Sequence, residues 1–193
     1  MSPHPTKTLI IGHRGAMGHA PENTRASFEA GVRWGADAVE CDVHLSKDGR
    51  LVVIHDDRLD RTTNGHGAVS ERTWKELRGL DAGSWFGKAF AGERLWLLEH
   101  FLNWAKKGRT RSRAPLQVIV EIKSNPSVPV ALADQVVSLL RHTGMVRRAF
   151  VISFNHREVA RAKALCPKLR TGLLFSQIPQ DLSHRMEWTH ADA

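Results

Sequence analysis

The chain alternates between short runs of aliphatic and β-branched residues and longer amphipathic segments, and this alternation restricts its fold more than any other feature. Strand-like runs occupy residues 8–12, 38–45, 51–54, 117–122, 149–153 and 170–175. Amphipathic helical patterns cover residues 24–34, 97–107, 128–141 and 156–165. Repeated strand–helix–strand order is typical of a parallel sheet covered by helices. The sequence therefore predicts an α/β fold, either a doubly wound sheet or an eight-stranded barrel.

One connection departs from this order. Only the segment Ser46 to Arg50 separates the second and third predicted strands, which is too short for a crossover helix. Asp48-Gly49 within it is a turn signal, so this link is either a hairpin or an extended connection without a helix. Residues 56–94 are rich in Gly, Trp and turn residues. We predict that they form an excursion above the sheet and not another βα unit.

Length and composition restrict the class of protein. The 193 residues are 41% hydrophobic and 25% charged, which predicts a single globular domain over residues 1–193. No apolar run approaches the roughly 18 residues that span a bilayer, and Leu9 to Ile11 is too short for a signal-peptide core. We predict a cytoplasmic protein without a transmembrane segment. Cys41 and Cys166 lie far apart and suggest neither a disulfide scaffold nor a thiolate metal site.

The net charge of +8 comes from the second half of the chain, where residues 97–193 contain 15 Lys and Arg against seven Asp and Glu. A basic half can bind nucleic acid, an anionic membrane surface or a phosphorylated substrate. The densest basic run, residues 106–113, has no interleaved aromatic side chains. We therefore predict no nucleic-acid partner.

The second predicted strand carries paired carboxylates. Strand alternation places Glu40 and Asp42 on one face, and the other face is apolar, with Val39, Cys41 and Val43. Two like charges on one interior face are costly unless a cation or an arginine lies between them. This strand therefore indicates either such a buried site or an edge strand whose polar face is solvated.

Other strands also end in polar side chains. The first is followed by His13 and Arg14 between two glycines, the third ends in His55-Asp56, and the fourth carries Glu121 and Lys123. Parallel α/β folds place their chemistry at the carboxyl ends of their strands. We expect these side chains to share one site.

A series of short motifs runs along the chain: Gly12-His13-Arg14-Gly15, Ala20-Pro21-Glu22-Asn23-Thr24, Glu40-Cys41-Asp42-Val43, Lys47-Asp48-Gly49, His55-Asp56, Arg61-Thr62-Thr63-Asn64-Gly65, Asp81-Ala82-Gly83-Ser84-Trp85, Glu121-Ile122-Lys123 and Ser153-Phe154. In order and spacing, these motifs resemble the glycerophosphodiester phosphodiesterase family. The resemblance implies a (β/α)8 barrel that hydrolyses a small glycerophosphodiester to glycerol 3-phosphate and an alcohol, with a divalent cation, in lipid and glycerol metabolism.

The resemblance also implies roles for single residues. His13 and His55 correspond to the acid–base pair, and Glu40, Asp42 and Glu121 correspond to the metal ligands. Arg14 and Lys123 resemble the cations on the phosphate side, and Glu22 and Asn23 resemble the loop that faces the substrate. A site of three carboxylates suits Mg²⁺ or Ca²⁺, with Mn²⁺ as a further choice.

The length of the chain differs from that of the family fold. Such a barrel has roughly 250 residues, whereas this chain supplies six predicted strands. We therefore expect a barrel that is incomplete at its C-terminus and lacks the final two βα units. The first and sixth strands, residues 8–12 and 170–175, would then have open edges, which favours self-association.

Three other possibilities remain open at this point. The chain could be a truncated, inactive barrel fragment or a phosphate-binding module. A lipid phosphodiesterase, such as a lysophospholipase D-like or sphingomyelinase D-like enzyme, is favoured if the Trp-rich excursion exposes an apolar surface.

Overall fold

The computed structural model describes residues 8–124 and 132–193, in which seven strands form one sheet. The strands are β1 (Ile11–Gly12), β2 (Ala38–Leu45), β3 (Leu51–Val53), β4 (Trp96–Leu97), β5 (Gln117–Ile122), β6 (Ala149–Ser153) and β7 (Arg170–Leu173). Their order is β4-β3-β2-β5-β6-β7, and β1 pairs with the start of β2.

Six α-helices accompany the sheet in the described residues. They are α1 (Arg25–Arg33), α2 (Trp74–Leu77), α3 (Leu98–Lys107), α4 (Leu132–Thr143), α5 (His156–Leu165) and α6 (Leu182–Thr189). The four predicted helices correspond to α1, α3, α4 and α5, although residues 128–131 of the third prediction lie outside the described part. Helices α2 and α6 and strand β4 were not predicted.

Five strands, β1, β2, β5, β6 and β7, pair in parallel and are connected by helices. This is the arrangement of a (β/α)8 barrel, part of which the chain forms. The predicted strand at residues 8–12 is only two residues long, Ile11–Gly12. Before it, the Ile10 carbonyl accepts the backbone N–H groups of Asp37 and Ala38, but the Ile10 N–H donates to the Asp37 carboxylate and not to a neighbouring strand.

The link between β2 and β3 is a hairpin, the first of the two predicted possibilities. Val43 pairs with Val53 in antiparallel register, and the Gly49 N–H donates to the Ser46 carbonyl in the turn. Gly49 has φ +71°, a value that few side chains tolerate. Strand β3 runs antiparallel to β2. The parallel neighbour of β2 on its other side is therefore β5.

The main core lies between the sheet and the helices. Val39, Cys41 and Val43 of β2 are fully buried there, together with aromatic and aliphatic side chains of α1, α3 and α4. The alternation of β2 is therefore as predicted. Its apolar face packs against helices, and its carboxylates point to the opposite side of the sheet.

The excursion of residues 56–94 has its own small core. Leu59, Val69 and Leu77 are buried in it, against Val52 and Leu97 of the β3–β4 ribbon. Among its described residues, Trp85 is the one large apolar side chain that is exposed. The broad apolar surface that would favour a lipid substrate is therefore not seen on this segment.

Asp81 organises one end of the excursion. Its carboxylate accepts the backbone N–H groups of Ser84, Gly83 and Gly92, and these hydrogen bonds hold its pKa well below the usual range. We expect Asp81→Asn to lower the free energy of unfolding by about 1 kcal/mol at pH 7. A lowered carboxyl pKa stabilises the fold above the unfolded-state value, so the difference should fade below about pH 4. Urea denaturation at pH 7 and pH 3 measures it, with Glu71→Gln as control; equal stabilities of parent and variant at pH 7 would contradict the assignment.

One predicted open edge is covered. The N–H groups of Asp192 and Ala193 donate to the Thr171 carbonyl, and the Leu173 N–H donates to the Ala193 carbonyl. The tail therefore pairs along β7, and the prediction of an open edge at residues 170–175 is wrong. None of the described helices is long and apolar enough to cross a membrane.

The edge at β1 is different, because within the described residues β1 pairs only with β2. Leu9, Ile10 and Ile11 are between 44% and 60% exposed beside it. Self-association through this edge remains a prediction. We expect the mass from light scattering to rise with concentration for the parent chain and to stay at one chain for Ile10→Lys. A parent that is monomeric at all concentrations would contradict this expectation.

Candidate active site

Three carboxylates meet on the inner side of the sheet. The register of β2 against β5 sets Asp42 opposite Glu121, and Glu40 precedes Asp42 by two residues on the same face. All three residues are at most 6% exposed, and one oxygen from each lies within 4.8 Å of the other two. The predicted metal ligands are therefore brought together by strand pairing.

This arrangement is electrostatically costly. Burial, together with the neighbouring Asp42 carboxylate, raises the pKa of Glu40 to about 8. Burial also raises the pKa of Glu121, although Lys123 opposes this effect. Buried like charges persist in a fold when something compensates them.

Lys123 supplies part of that compensation. Its Nζ lies 3.1 Å from Asp42 Oδ1 and 2.5 Å from Glu121 Oε1. Glu40 has no such cation at Oε1, which is buried and accepts no hydrogen bond from the described residues. Its other oxygen, Oε2, accepts the backbone N–H of Arg14 at 2.8 Å.

The turn after β1 brings Arg14 to the cluster. Arg14 has φ +50°, and the following Gly15 has φ +82°. A Cβ on Gly15 would lie 2.4 Å from the Ser27 backbone of α1, so only glycine fits there. The Arg14 guanidinium then reaches Asp42, with Nε 3.4 Å from Oδ2.

Glu22 and Asn23, predicted to face the substrate, are both buried. The Asn23 amide donates to Asp42 Oδ2 at 2.8 Å, and its oxygen accepts the Asp42 N–H at 3.3 Å. The Glu22 carboxylate accepts Arg14 Nη1 at 3.0 Å. The polar groups of both residues are therefore engaged by other members of the site.

His13 lies at the rim. Its side chain is 58% exposed, and its Nε2 is 3.9 Å from Glu40 Oε2. Partial burial and the positive charge of Arg14 lower its pKa below the usual value. A neutral imidazole at this position can accept a proton.

His55 follows β3 and lies partly buried next to the cluster. Its Nδ1 is 2.6 Å from Asp56 Oδ1, and the backbone carbonyl of His55 accepts a hydrogen bond from His44 Nε2 at 2.9 Å. Hydrogen bonds therefore fix both the imidazole and the backbone carbonyl of His55.

Arg61 was not predicted as a site residue, although its segment was among the matching motifs. It donates to Asp56 and to Glu22, which are otherwise far apart in sequence. No strand or helix periodicity extends through the excursion, so the sequence pattern could not reveal this contact.

The charges of the whole cluster do not balance. Five carboxylates and three cationic side chains lie together here; ion pairs link four of the carboxylates to the cations, and the fifth, Glu40, accepts the backbone N–H of Arg14. The carboxylates are those of Glu22, Glu40, Asp42, Asp56 and Glu121, and the cations are Arg14, Arg61 and Lys123. When all five carboxyl groups are ionised, as metal-ligating carboxyls are, the cluster carries two more negative than positive charges. This excess and the unpartnered Glu40 oxygen fit one hard divalent cation with oxygen ligands.

A cavity of about 470 Å³ opens beside the cluster. The residues that line it include His55, Glu121, Lys123, Phe154 and Asn155. This volume is within the range of small-molecule sites.

Comparison with known proteins agrees with this geometry. The model of the glycerophosphoryl diester phosphodiesterase family matches residues 13–193. A glycerophosphodiester phosphodiesterase of Caldanaerobacter subterraneus subsp. tengcongensis is 41% identical over 170 residues, which are 88% of this chain and 67% of that protein. The chain spans between 65% and 67% of the length of two curated relatives that it matches.

Solved structures show the same fold. A glycerophosphodiester phosphodiesterase of Agrobacterium tumefaciens superposes with a TM-score of 0.81 at 37% identity, over 96% of this chain and 74% of that one. A phosphodiesterase of Oleispira antarctica, solved with the product sn-glycerol-3-phosphate, superposes with a TM-score of 0.80 at 32% identity, over 95% and 72%. These matches confirm the predicted barrel. The chain belongs to the glycerophosphoryl diester phosphodiesterase family.

Proposed function

We propose that the chain hydrolyses a small glycerophosphodiester to glycerol 3-phosphate and an alcohol. The observation that carries the proposal is the buried cluster of Glu40, Asp42 and Glu121, with two histidines at its border. Membership of the family supports the same reaction class.

The three carboxylates would hold one divalent cation, Mg²⁺ or Ca²⁺. When bound, such a cation polarises a phosphoryl oxygen and supplies the positive charge that the carboxylates lack. Asn23 supports the site because both of its amide atoms bind Asp42 and fix the orientation of that carboxylate. Mn²⁺ would also accept these ligands.

Phosphodiester hydrolysis needs a proton acceptor and a proton donor. The attacking oxygen must lose a proton, and the leaving alcohol oxygen must gain one. His13 and His55 are proposed to divide these two tasks, because both imidazoles lie beside the carboxylate cluster. Arg14 and Lys123 are proposed to face the phosphate and to balance its negative charge.

The proposed substrate class rests on a similar solved structure that contains a bound product. The Oleispira antarctica phosphodiesterase binds sn-glycerol-3-phosphate. The cavity of about 470 Å³ offers a place for the alcohol next to the phosphate. Its size suits a small head group better than a double-chain lipid, in keeping with the mostly covered excursion.

The test is choline release from glycerophosphocholine by this 193-residue chain. We expect turnover with Mg²⁺ or Ca²⁺ and none after EDTA, with recovery when the cation is restored. Equal turnover with and without EDTA would contradict metal dependence. Binding of glycerol 3-phosphate without turnover would favour the phosphate-binding module, and neither binding nor turnover would favour the inactive fragment.

A further inference from the structure

Arg61 connects two carboxylates through both edges of one guanidinium group. Its Nε and Nη2 donate to the Asp56 carboxylate at 2.6 and 2.9 Å. Its Nη1 and Nη2 donate to the Glu22 carboxylate, both at 2.8 Å. Arginine is suited to this double fork, because lysine offers no planar array of donors.

The Asp56 carboxylate orients the imidazole of His55. The hydrogen bonds and charge of Arg61 keep the pKa of Asp56 well below its usual range, so Asp56 is ionised and can only accept. The proton between Asp56 Oδ1 and His55 Nδ1 therefore belongs to Nδ1. This leaves Nε2 as the imidazole nitrogen available for proton transfer.

The Glu22 carboxylate binds the guanidinium group of Arg14. Glu22 Oε1 accepts from Arg14 as well as from Arg61, and the Glu22 side chain is only 5% exposed. Burial raises the pKa of this carboxyl, but the hydrogen bonds and charges of Arg61 and Arg14 outweigh it and leave the pKa below its usual value. Its oxygens are thus committed to two arginines.

We propose that Arg61 is a positioning residue that fixes His55 through Asp56 and Arg14 through Glu22. The kinetic part of this inference rests on the proposed hydrolase function. Arg61 itself contacts neither the Glu40–Asp42–Glu121 cluster nor any residue assigned to proton transfer, so its effect passes through the two carboxylates.

The exposure of these groups distinguishes positioning from stability. The Arg61 side chain is 43% exposed and that of Asp56 is 28% exposed. An ion pair this accessible to solvent contributes little to folding, about 0–1 kcal/mol. Glu22, the other partner of Arg61, is buried, but without Arg61 it would keep its ion pair with Arg14. Loss of Arg61 should therefore change the orientation of His55 much more than the melting temperature.

The first test is independent of activity. Nitrogen-15 NMR of the imidazoles should show, in the parent, His55 protonated at Nδ1 and free of protons at Nε2 once the ring is neutral. In Arg61→Ala and in Asp56→Asn we expect a mixture of tautomers, because the acceptor at Nδ1 is loosened or neutralised. A parent with the proton on Nε2, or an Arg61→Ala spectrum identical to that of the parent, would overturn the inference.

The second test is kinetic and uses a matched control. We expect Arg61→Ala to lower kcat about 10-fold to 100-fold, as loss of an orienting partner typically does, with a smaller change in KM. Arg58→Ala removes an exposed arginine of the same segment, which pairs only with Asp60 in the described structure, and should leave kcat unchanged. Arg61→Lys keeps the charge but not the fork, so full recovery of kcat in that variant would count against positioning.

The double variant shows whether Arg61 acts through Asp56. In an Asp56→Asn background, Arg61→Ala should have a much smaller effect on kcat than in the parent, because contacting residues of one network are not additive. If the two substitutions lowered kcat by fully multiplicative factors, the inference that Arg61 acts through Asp56 would be overturned. If the parent chain has no phosphodiesterase activity, the proposed function fails, and the tautomer measurement still decides the role of Arg61.

Discussion

Replacing Glu40, Asp42 and Glu121 together by Gln, Asn and Gln is expected to abolish binding of Mg²⁺ and Ca²⁺ and to remove detectable turnover. The amides keep the size of the side chains but remove three negative charges from a buried cluster. A Lewis acid contributes several kcal/mol to stabilisation of charge in a transition state. At 1.36 kcal/mol per factor of ten, its loss corresponds to about 10²-fold to 10³-fold or more in rate.

Calorimetry and thermal melting measure the binding part of this prediction. A cation that binds only the folded chain stabilises it by about 2.7 kcal/mol at a hundredfold excess over Kd. The melting temperature of the parent should therefore rise with Mg²⁺ or Ca²⁺, and that of the triple variant should not. The same shift in both proteins would rule out this metal site.

The single change Glu40→Gln serves as a control for folding. Glu40 Oε1 is buried without a hydrogen bond, and its neighbour Asp42 repels it. Removing its charge should leave the melting temperature in EDTA equal to or above that of the parent. A loss of metal binding in this variant then cannot be attributed to unfolding.

His13→Ala and His55→Ala are each expected to lower turnover by about 10²-fold to 10⁴-fold, the range of general acid–base catalysis. Both residues are partly exposed, so neither change should unfold the chain. Steady-state hydrolysis of glycerophosphocholine measures the effect.

His66→Ala is the matched control for these two variants. His66 lies in the excursion with its side chain 84% exposed, and among the described residues its side chain pairs only with Asp60. It should retain the turnover of the parent. A His55→Ala variant within a factor of two of the parent would remove His55 from the proposed mechanism.

Local periodicity was sufficient to predict that Glu40 and Asp42 share one face of β2, whereas their role as metal ligands was implied by the family resemblance and is a proposal. In β2, alternation alone separates Glu40 and Asp42 from the buried apolar face. The parallel partner of β2 could not be predicted in the same way, because β3 folds back antiparallel on one side of β2 and β5 pairs in parallel on the other. A turn signal indicates that the chain reverses, but it does not show which later strand pairs on the other side.

The contacts around Glu22 could not be predicted in this way. Glu22 and Arg61 are separated by 39 positions, and the excursion between β3 and β4 has no regular period that would place Arg61. Asn23 likewise reaches Asp42 through a loop residue with φ +58°. Motif resemblance identified these segments, but only the three-dimensional structure shows which atoms they contact.

The pairing of the C-terminal residues with β7 could not be predicted from the sequence for a similar reason. Asp192 and Ala193 follow α6, which was not predicted because its apolar pattern is weak, and they then pair with Thr171 and Leu173. Two residues are too few for a strand pattern in sequence. They nevertheless satisfy the Thr171 carbonyl and the Leu173 N–H on that side, and the Asp192 carboxylate accepts the Thr171 N–H.

The most direct test of the proposed reaction is phosphorus-31 NMR of glycerophosphocholine incubated with this chain and Mg²⁺ or Ca²⁺. Hydrolysis at the bond between phosphorus and the choline oxygen gives the resonance of glycerol 3-phosphate, together with free choline. We predict that resonance with the cation present and its absence in EDTA or in the triple amide variant. Phosphocholine as the product, or an unchanged substrate resonance with the cation present, would contradict the assignment.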